Sequence, residues 1–516
     1  MRTARGPSRG GLVVAGTTSD AGKSTVTAGL CRWLARQGVR VAPFKSQNMS
    51  NNSMVCADGA EIGRAQWLQA VAAGAEPESA MNPVLLKPGG DRRSHVVLRG
   101  KPWGELLAGD WATGRAALAE AAYSALAELR DRFDVVICEG AGSPAEINLR
   151  SGDYVNMGLA RHADLPVLVI GDIDRGGVLA AMSGTLALLE PADQALVSGF
   201  LVNKFRGDPE LLRPGLDSLE QVTGRPVLGV LPWLAEAWLD SEDALAMAGW
   251  RGHQPGSGAT LRVAAVRFPR VSNATDLDPL AAEPGVSVEV TADPDVVAAA
   301  DLAVLPGTRS TVDDLAWLRE RGIERALRAR AADGKPVLGI CGGYQMLAET
   351  IDDPVESGAG SVPGLGLLPL VVRFEEDKSL GRPSGAWREH PVRGYEIHHG
   401  VVHPSGAARD DVEPFLDGIR RSAVWGTIWH GVFENDDFRR AWLSEVAGQA
   451  GVDWRPSATP GFGARREAML DRIADAIDEH ADTAALLELI ESGAPAGLPW
   501  VRLERVYREQ RQAPAG

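Results

Sequence analysis

The segment "VLGICGGYQML", residues 337–347, sets one cysteine, Cys341, between a short apolar run and Gly342-Gly343. A thiol on a strand-to-helix turn is exposed and sits at a helix N-terminus, which favours thiolate. The paired glycines leave room for a substrate carbonyl. The Gly342 N–H can face the oxygen that turns negative on attack, with a second donor near Gly307 in "LPGTRST". Free cysteine titrates at about 8.5, so a base should help. His430 in "GTIWHG", at the end of an apolar run, is the candidate. Such a pair does covalent chemistry on a carbonyl.

A second chemical segment lies near the N-terminus. "GTTSDAGKST" (16–25) follows the apolar run "GLVVA" and opens an amphipathic stretch with Val26, Leu30, Trp33 and Leu34 on one face. Backbone N–H groups and the helix dipole at such a turn hold phosphate. Gly16, Thr17, Asp20, Gly22, Lys23, Ser24 and Thr25 are the candidate nucleotide residues. Lys23 would reach the outer phosphates of ATP, and Ser24 or Thr25 a magnesium ion. The usual G-x-x-x-x-G-K-[ST] loop would begin at position 17, where Thr17 stands; Gly16 is one step earlier.

Other strand ends carry charge. Glu139 in "CEGAGS" reads either as a metal ligand or as a solvated strand end. Lys45 in "PFKSQN" is either a cation for a substrate carboxylate and the transferred phosphoryl group or a surface lysine. Asp172, Asp174 and Arg175 in "GDIDRGG" are strand-end residues without an assigned role. Asn48, Asn51 and Asn52 in "QNMSNNS" are substrate contacts or turn formers.

The elements that must position these residues alternate. Apolar runs at 11–15, 39–44, 134–138, 166–170, 196–203 and 226–230 are separated by helical segments. The alternation restarts at 261–266, 286–290, 302–305, 337–340 and 424–429. Both halves therefore read as α/β, mostly parallel sheets with helices on the faces. We expect one domain over 1–250, a Gly/Pro/Ser linker over 251–260, a second domain over 261–448 and a helical extension over 449–516. The 516 residues are too many for one core. A net charge of −15 speaks against a nucleic-acid surface, so any anionic substrate needs a local cationic site, expected near Lys45 and Arg64. Four cysteines do not make a disulfide framework and suit a reducing cytoplasm. No run reaches the roughly 18 apolar residues of a membrane span. The basic start "MRTARGPSRGG" lacks the apolar core of a signal peptide.

The phosphate loop and "CEGAGS" resemble dethiobiotin synthetase and its relatives, a P-loop NTPase-like fold in which Glu139 would bind magnesium. The Cys341 and His430 segments resemble class I glutamine amidotransferases, a flavodoxin-like fold that releases ammonia through a cysteinyl thioester. Many members carry a glutamate two positions after the histidine. Val432 stands there, and Glu434, though near, is not assigned that role. Taken together, "GTTSDAGKST", "APFKSQNMSNNS", "ADGAEIGRAQ", "MNPVLLKP", "EGAGSPAEINLR" and "VNKFRGD" resemble the cobyric acid synthase family over about residues 11–448.

That resemblance implies amidation of the b, d, e and g carboxylates of adenosylcobyrinic acid a,c-diamide, with ATP and glutamine consumed. Lys45, Asn48, Arg64, Asp172, Asp174 and Arg175 would then serve the corrinoid or the phosphoryl group. The chemistry is coherent: a carboxylate needs phosphorylation before ammonia can displace its oxygen. Alternatives are the related a,c-diamide synthase and a partitioning-type ATPase with an inert second domain. The latter usually has a second lysine early in the loop, where Thr17 and Thr18 stand. The oligomeric state stays open, a homo-oligomer included.

Overall fold

The computed structural model describes residues 10–89, 93–107, 111–235, 237, 251–253, 260–406 and 410–501. The expected N-terminal lead-in, most of the expected linker and the end of the extension lie outside them. The first domain is built on a six-stranded parallel sheet. Its order is Val227–Pro232, Val197–Phe205, Val167–Asp172, Gly10–Gly16, Val135–Glu139, Val41–Phe44. Strands covered by helices on both faces need continuous apolar runs, and every residue of Gly10–Gly16 is buried. Helix Lys23–Arg36 starts from Gly22, whose φ of 95° an L side chain would resist.

A second, four-stranded sheet sits beside it: Gln47–Met49, Val84–Pro88, Arg93–Leu98, Lys101–Leu107. Periodicity did not reveal it, because "QNM" is three residues of polar chain.

The second domain has an eight-stranded sheet. Its parallel centre runs Val286–Thr291, Leu261–Val266, Leu302–Leu305, Val337–Ile340, Val424–Thr427. Arg251–His253, expected in the linker, instead pairs antiparallel with Val286–Thr291 at this sheet's edge. Backbone pairing outweighs the local Gly/Pro/Ser signal there. A four-stranded side sheet (Thr350–Asp353, Gly360–Pro363, Leu370–Gly381, Glu396–Pro404) was also not anticipated. Arg373, Glu375, Glu376 and Asp377 of its long strand "LVVRFEEDKSLG" are exposed, which breaks the apolar pattern. Among the described residues no helix is long and apolar enough to cross a membrane.

The C-terminal helices return to the first domain. Helix Phe462–His480 lies along Lys23–Arg36, where Gly29 leaves space for it. A Cβ there would come within 2.6 Å of Ile473 Cγ2 and 2.7 Å of Ile477 Cδ1. Polar clasps flank this contact: Arg32 with Asp471 at 2.8 Å, Arg36 with Asp475 at 2.6 Å, and Trp33 Nε1 donating to Asp478 at 3.0 Å. Helix Thr483–Ser492 closes on the first strand, where a Cβ on Gly10 would meet Ile490 O at 2.4 Å. Ile473→Ala should therefore destabilise the nucleotide-binding domain by about 2–5 kcal/mol. Thermal unfolding followed in that domain tests this, and an unchanged midpoint would mean the helix is not part of its core.

Candidate active sites

Three neighbouring parallel strands end at one edge of the second sheet. Leu302–Leu305 leads to Gly307, Val337–Ile340 to Cys341, and Val424–Thr427 to His430. Cys341 adopts φ 50°, ψ −112°, a conformation disfavoured for any residue with a side chain. The turn is held there by Cys341 N donating to Thr427 O at 2.8 Å and Gln345 N donating to Cys341 O at 2.9 Å. Glycine is required beside it: a Cβ on Gly343 would lie 2.0 Å from Leu305 O. One on Gly342 would lie 2.7 Å from Thr308 Cγ2 and 3.1 Å from Thr308 N. The two turns expected to carry the oxyanion donors are thus in contact. At Gly307 a Cβ would fall 2.9 Å from His430 Cε1, so this glycine also makes room for the imidazole.

His430 is fully buried. Its Nδ1 lies 2.7 Å from Asp276 Oδ2, and the other carboxylate oxygen accepts from Gly431 N at 2.7 Å. That bond assigns the proton to Nδ1 and leaves Nε2 as the base. The Tyr395 ring stacks on the imidazole with centroids 5.3 Å apart. Burial opposes a charge on His430, but the Asp276 carboxylate and then the neighbouring Cys341 outweigh it and raise the imidazole to about 10. Burial pushes the thiols of Cys56 and Cys138 up to about 12, which leaves them inert.

Asp276 is the residue that sequence reasoning missed. It sits 154 positions before His430, in the turn Ala274–Leu277, with no motif of its own. Glu434 instead accepts from Arg64 Nη2 at 2.7 Å and pairs with Arg466 at 3.0 Å. A narrow, partly open cavity lies at Cys341. Thr308, Arg309, Gln345 and Lys378 line it, and so does Lys87 of the first domain.

The other site forms at the carboxyl edge of the first sheet. The Lys23 ammonium is held by the carbonyls of Thr18 and Ser19 at 2.9 Å and of Gly142 at 3.1 Å. Its stem packs over Gly16, where a Cβ would come within 3.1 Å of Lys23 Cγ. This accounts for the glycine one step before its usual place. Thr17 N donates to Ile170 O at 2.9 Å and ties the loop to the neighbouring strand. Thr18 Oγ1 is buried and has no partner among the described residues, which suits a loop built for a polar ligand.

Glu139 is a hub. Ser24 Oγ donates to it at 2.7 Å, Lys45 Nζ at 2.9 Å and Gln69 Nε2 at 2.6 Å. It is fully buried, which removes the solvated strand-end alternative; Lys45 at 4 % exposure is no surface lysine. Among the described residues no group of three or more His, Cys, Asp or Glu could cage a metal. A hydroxyl and a carboxylate fit magnesium, which takes its other ligands from phosphate and water.

Asp20, Asp172, Asp174 and Arg175 form a charged rim. Arg175 bonds Asp20 and lies 3.6 Å from Asp172, Lys204 reaches Asp172 at 2.8 Å, and Arg206 reaches Asp174 at 3.1 Å. Thr25 lies within the helix begun by Lys23. Asn48 is buried and donates to Gln66 at 2.9 Å. The Arg64 side chain reaches towards the second domain. It is buried, stacked 4.4 Å over Trp67 and paired with Glu434 of the second domain. The local cations are interior, not a surface patch.

A phosphate loop on one parallel sheet and a cysteine elbow on another define a nucleotide-binding domain joined to a glutamine amidotransferase domain. Family models agree: residues 12–244 match the CobQ/CobB/MinD/ParA nucleotide binding domain, and residues 262–438 the CobB/CobQ-like glutamine amidotransferase domain. Over 95% of its length the chain is 59% identical to the cobyric acid synthase of Mycolicibacterium gilvum, covering 99% of that protein. It is 60% identical to that of Streptomyces avermitilis (95% and 98% covered) and 59% to that of Cutibacterium acnes (93% and 99%). The chain belongs to the cobyric acid synthase family.

Asp276→Asn keeps the shape and removes the charge that raises His430. Glutamine hydrolysis should slow by roughly 10²–10⁴-fold. The imidazolium should then be lost at lower pH, moving the alkaline limb of the rate profile down. Because the folded value is raised, the pair's stabilisation is complete below about 6.5 and is lost as pH rises through about 10. Glutamate release measured across pH tests this; an unmoved limb would show that Asp276 does not set the charge state of His430.

Proposed function

We propose that this chain amidates the b, d, e and g carboxylates of adenosylcobyrinic acid a,c-diamide, using ATP and glutamine, in cobalamin biosynthesis. The observation that carries the reading is the pairing of two complete strand-end sites in one chain whose relatives at this identity are cobyric acid synthases.

Glutamine enters the Cys341 cavity. Cys341 Sγ attacks its carboxamide carbon while the N–H groups of the Gly342 turn and the Gly307–Thr308 turn receive the oxyanion. His430, kept as imidazolium by Asp276, gives its Nε2 proton to the departing ammonia. Asp276 holds the imidazole by Nδ1 throughout. Water, deprotonated by the same Nε2, then cleaves the thioester to glutamate.

At the other edge the phosphate loop and Lys23 hold ATP. A corrinoid carboxylate attacks the γ-phosphorus, ADP leaves, and Lys45 steadies the charge on the transferred group. Magnesium held by Ser24 and Glu139 would neutralise phosphate charge. Ammonia then displaces phosphate from the acyl phosphate and leaves the amide. Asp172, Asp174 and Arg175 border the phosphate loop, and Asn48 stands three residues beyond Lys45, in strand Gln47–Met49.

The domain limits we propose are a synthetase domain to about residue 250, an amidotransferase domain to about 448, and a C-terminal extension docked on the former. A partitioning-type ATPase would not need Cys341, His430 and Asp276 assembled at one edge.

Two substitutions separate the half-reactions. Cys341→Ala should abolish glutamine-dependent amidation and retain amidation supported by high ammonium at raised pH, whereas Lys23→Ala should lose both. Product mass spectrometry with each nitrogen source decides. Glutamine use at the normal rate by Cys341→Ala would end this reading of the second domain. Glu139→Gln should lower ATP-dependent turnover and raise the magnesium requirement; normal turnover at low magnesium would remove Glu139 from the metal site.

A further inference from the structure

Asn52, in the segment "QNMSNNS", has no part in either reaction as written. After strand Gln47–Met49 the chain turns, with Asn52 N donating to Ser50 Oγ at 3.0 Å. It then meets the second domain. Ala274 N donates to Asn52 Oδ1 at 3.1 Å, and Ser53 N donates to Asn273 Oδ1 at 2.9 Å. Each asparagine oxygen thus caps a backbone N–H of the other domain. All four residues are buried, Asn52 at 2 % and Asn273 at 3 % exposure.

Asn273 sits in the left-handed region at φ 50° and starts the turn that carries Asp276, whose N–H donates back to Asn273 O at 3.0 Å. Asp276 in turn holds both His430 and Gly431. A second brace lies on the far side of the histidine. Arg64 N donates to Asn52 O at 3.0 Å, while its guanidinium holds Glu434, three residues past Gly431. Both loops flanking the Asp276–His430 bond are therefore fastened by residues 52–64 of the first domain.

We propose that Asn52 is a positioning residue for glutamine hydrolysis, through which the synthetase domain sets the Asp276–His430 geometry. The inference rests on the glutaminase reading of Cys341 and His430. Its physical basis is that a buried N–H stripped of its acceptor drives local rearrangement. Displacement of a reacting group by about 1 Å costs on the order of 10²-fold. Asn52 stands seven residues beyond Lys45 in the same stretch of chain. Glutaminase competence is thereby tied to the placement of that segment, and ammonia is made where it can be used.

The test compares Asn52→Ala and Asn52→Asp, alone and in the Asp276→Asn background, with Cys341→Ala run alongside. Asn52→Ala should lower kcat for glutamine hydrolysis by roughly 10–10²-fold, with KM for glutamine and ammonium-supported amidation unchanged. Asn52→Asp keeps the acceptor oxygen and should recover most of the rate. In the Asp276→Asn background Asn52→Ala should add little, since both act through one bond. The proposal falls if ammonium-supported amidation drops equally, if the corrinoid KM rises, if the two losses multiply independently, or if Asn52→Ala hydrolyses glutamine normally. Should Asn52→Ala fail to fold, Asn52→Gln, which displaces the same amide by one methylene, takes its place with the same outcomes. If Cys341→Ala still uses glutamine, the glutaminase reading fails instead.

Discussion

The hydrogen bond between Asp276 and His430 governs how the second half of this molecule is put together. Both groups are buried, at 2 % and 0 % exposure, and a buried carboxylate is costly unless every oxygen is used. Here one oxygen takes the imidazole and the other a backbone N–H. The arrangement works only if two turns remote in sequence are held in register. That is why Gly307 must lack a side chain, and why the turn beginning at Asn273 is anchored from outside its own domain. The nucleophile is cheap to place, on a strand-to-helix turn. The oriented base is not, and the tertiary structure around it answers that need.

The same logic recurs at the nucleotide edge. Glu139 is buried and accepts from Ser24, Lys45 and Gln69, so it ties the phosphate loop, the next strand and a helix to one carboxylate. A chain of net charge −15 can bind an anionic carboxylate because its relevant cations are interior. Lys23 and Lys45 are each 4 % exposed and are held by carbonyls or by Glu139. An interior cation in low dielectric attracts an incoming anion more strongly than a surface patch screened by salt. The surface charge is then free to keep the protein soluble.

Local patterns carried much of this into the sequence. The parallel strands were legible because strands covered on both faces are continuous apolar runs. Cys341 and Lys23 were legible because an elbow and a phosphate loop are built from adjacent residues. His430 was legible as a strand-end histidine. Asp276 was not: its partner is 154 positions away, and an aspartate in "NATDLDP" looks like any turn former. Glycine-flanked arginines read as ligand-facing, whereas Trp67 and Glu434 hold Arg64. The side sheets escaped because their strands are short or half solvated, and hydrophobic periodicity reports burial, not pairing.

The C-terminal helices complete the argument about rigidity. Glu434 stands between Arg64 of the first domain and Arg466 of helix Phe462–His480, and both guanidinium groups lie over the Trp67 ring, at 4.4 and 5.1 Å. One carboxylate thus bonds two nearly buried cations contributed by segments some 400 positions apart, as the numbering itself shows. Such a pair is poor evidence for stability on its own, because desolvation offsets most of the attraction. Its value is geometric: the two oxygens of Glu434 each take one guanidinium, so one carboxylate sets the position of both arginines. The extension that docks on the nucleotide helix therefore also fixes the loop behind His430. The chain leaves the first domain, builds the second, and returns to pack against both, through the Arg32 and Arg36 contacts and through Arg466 to Glu434.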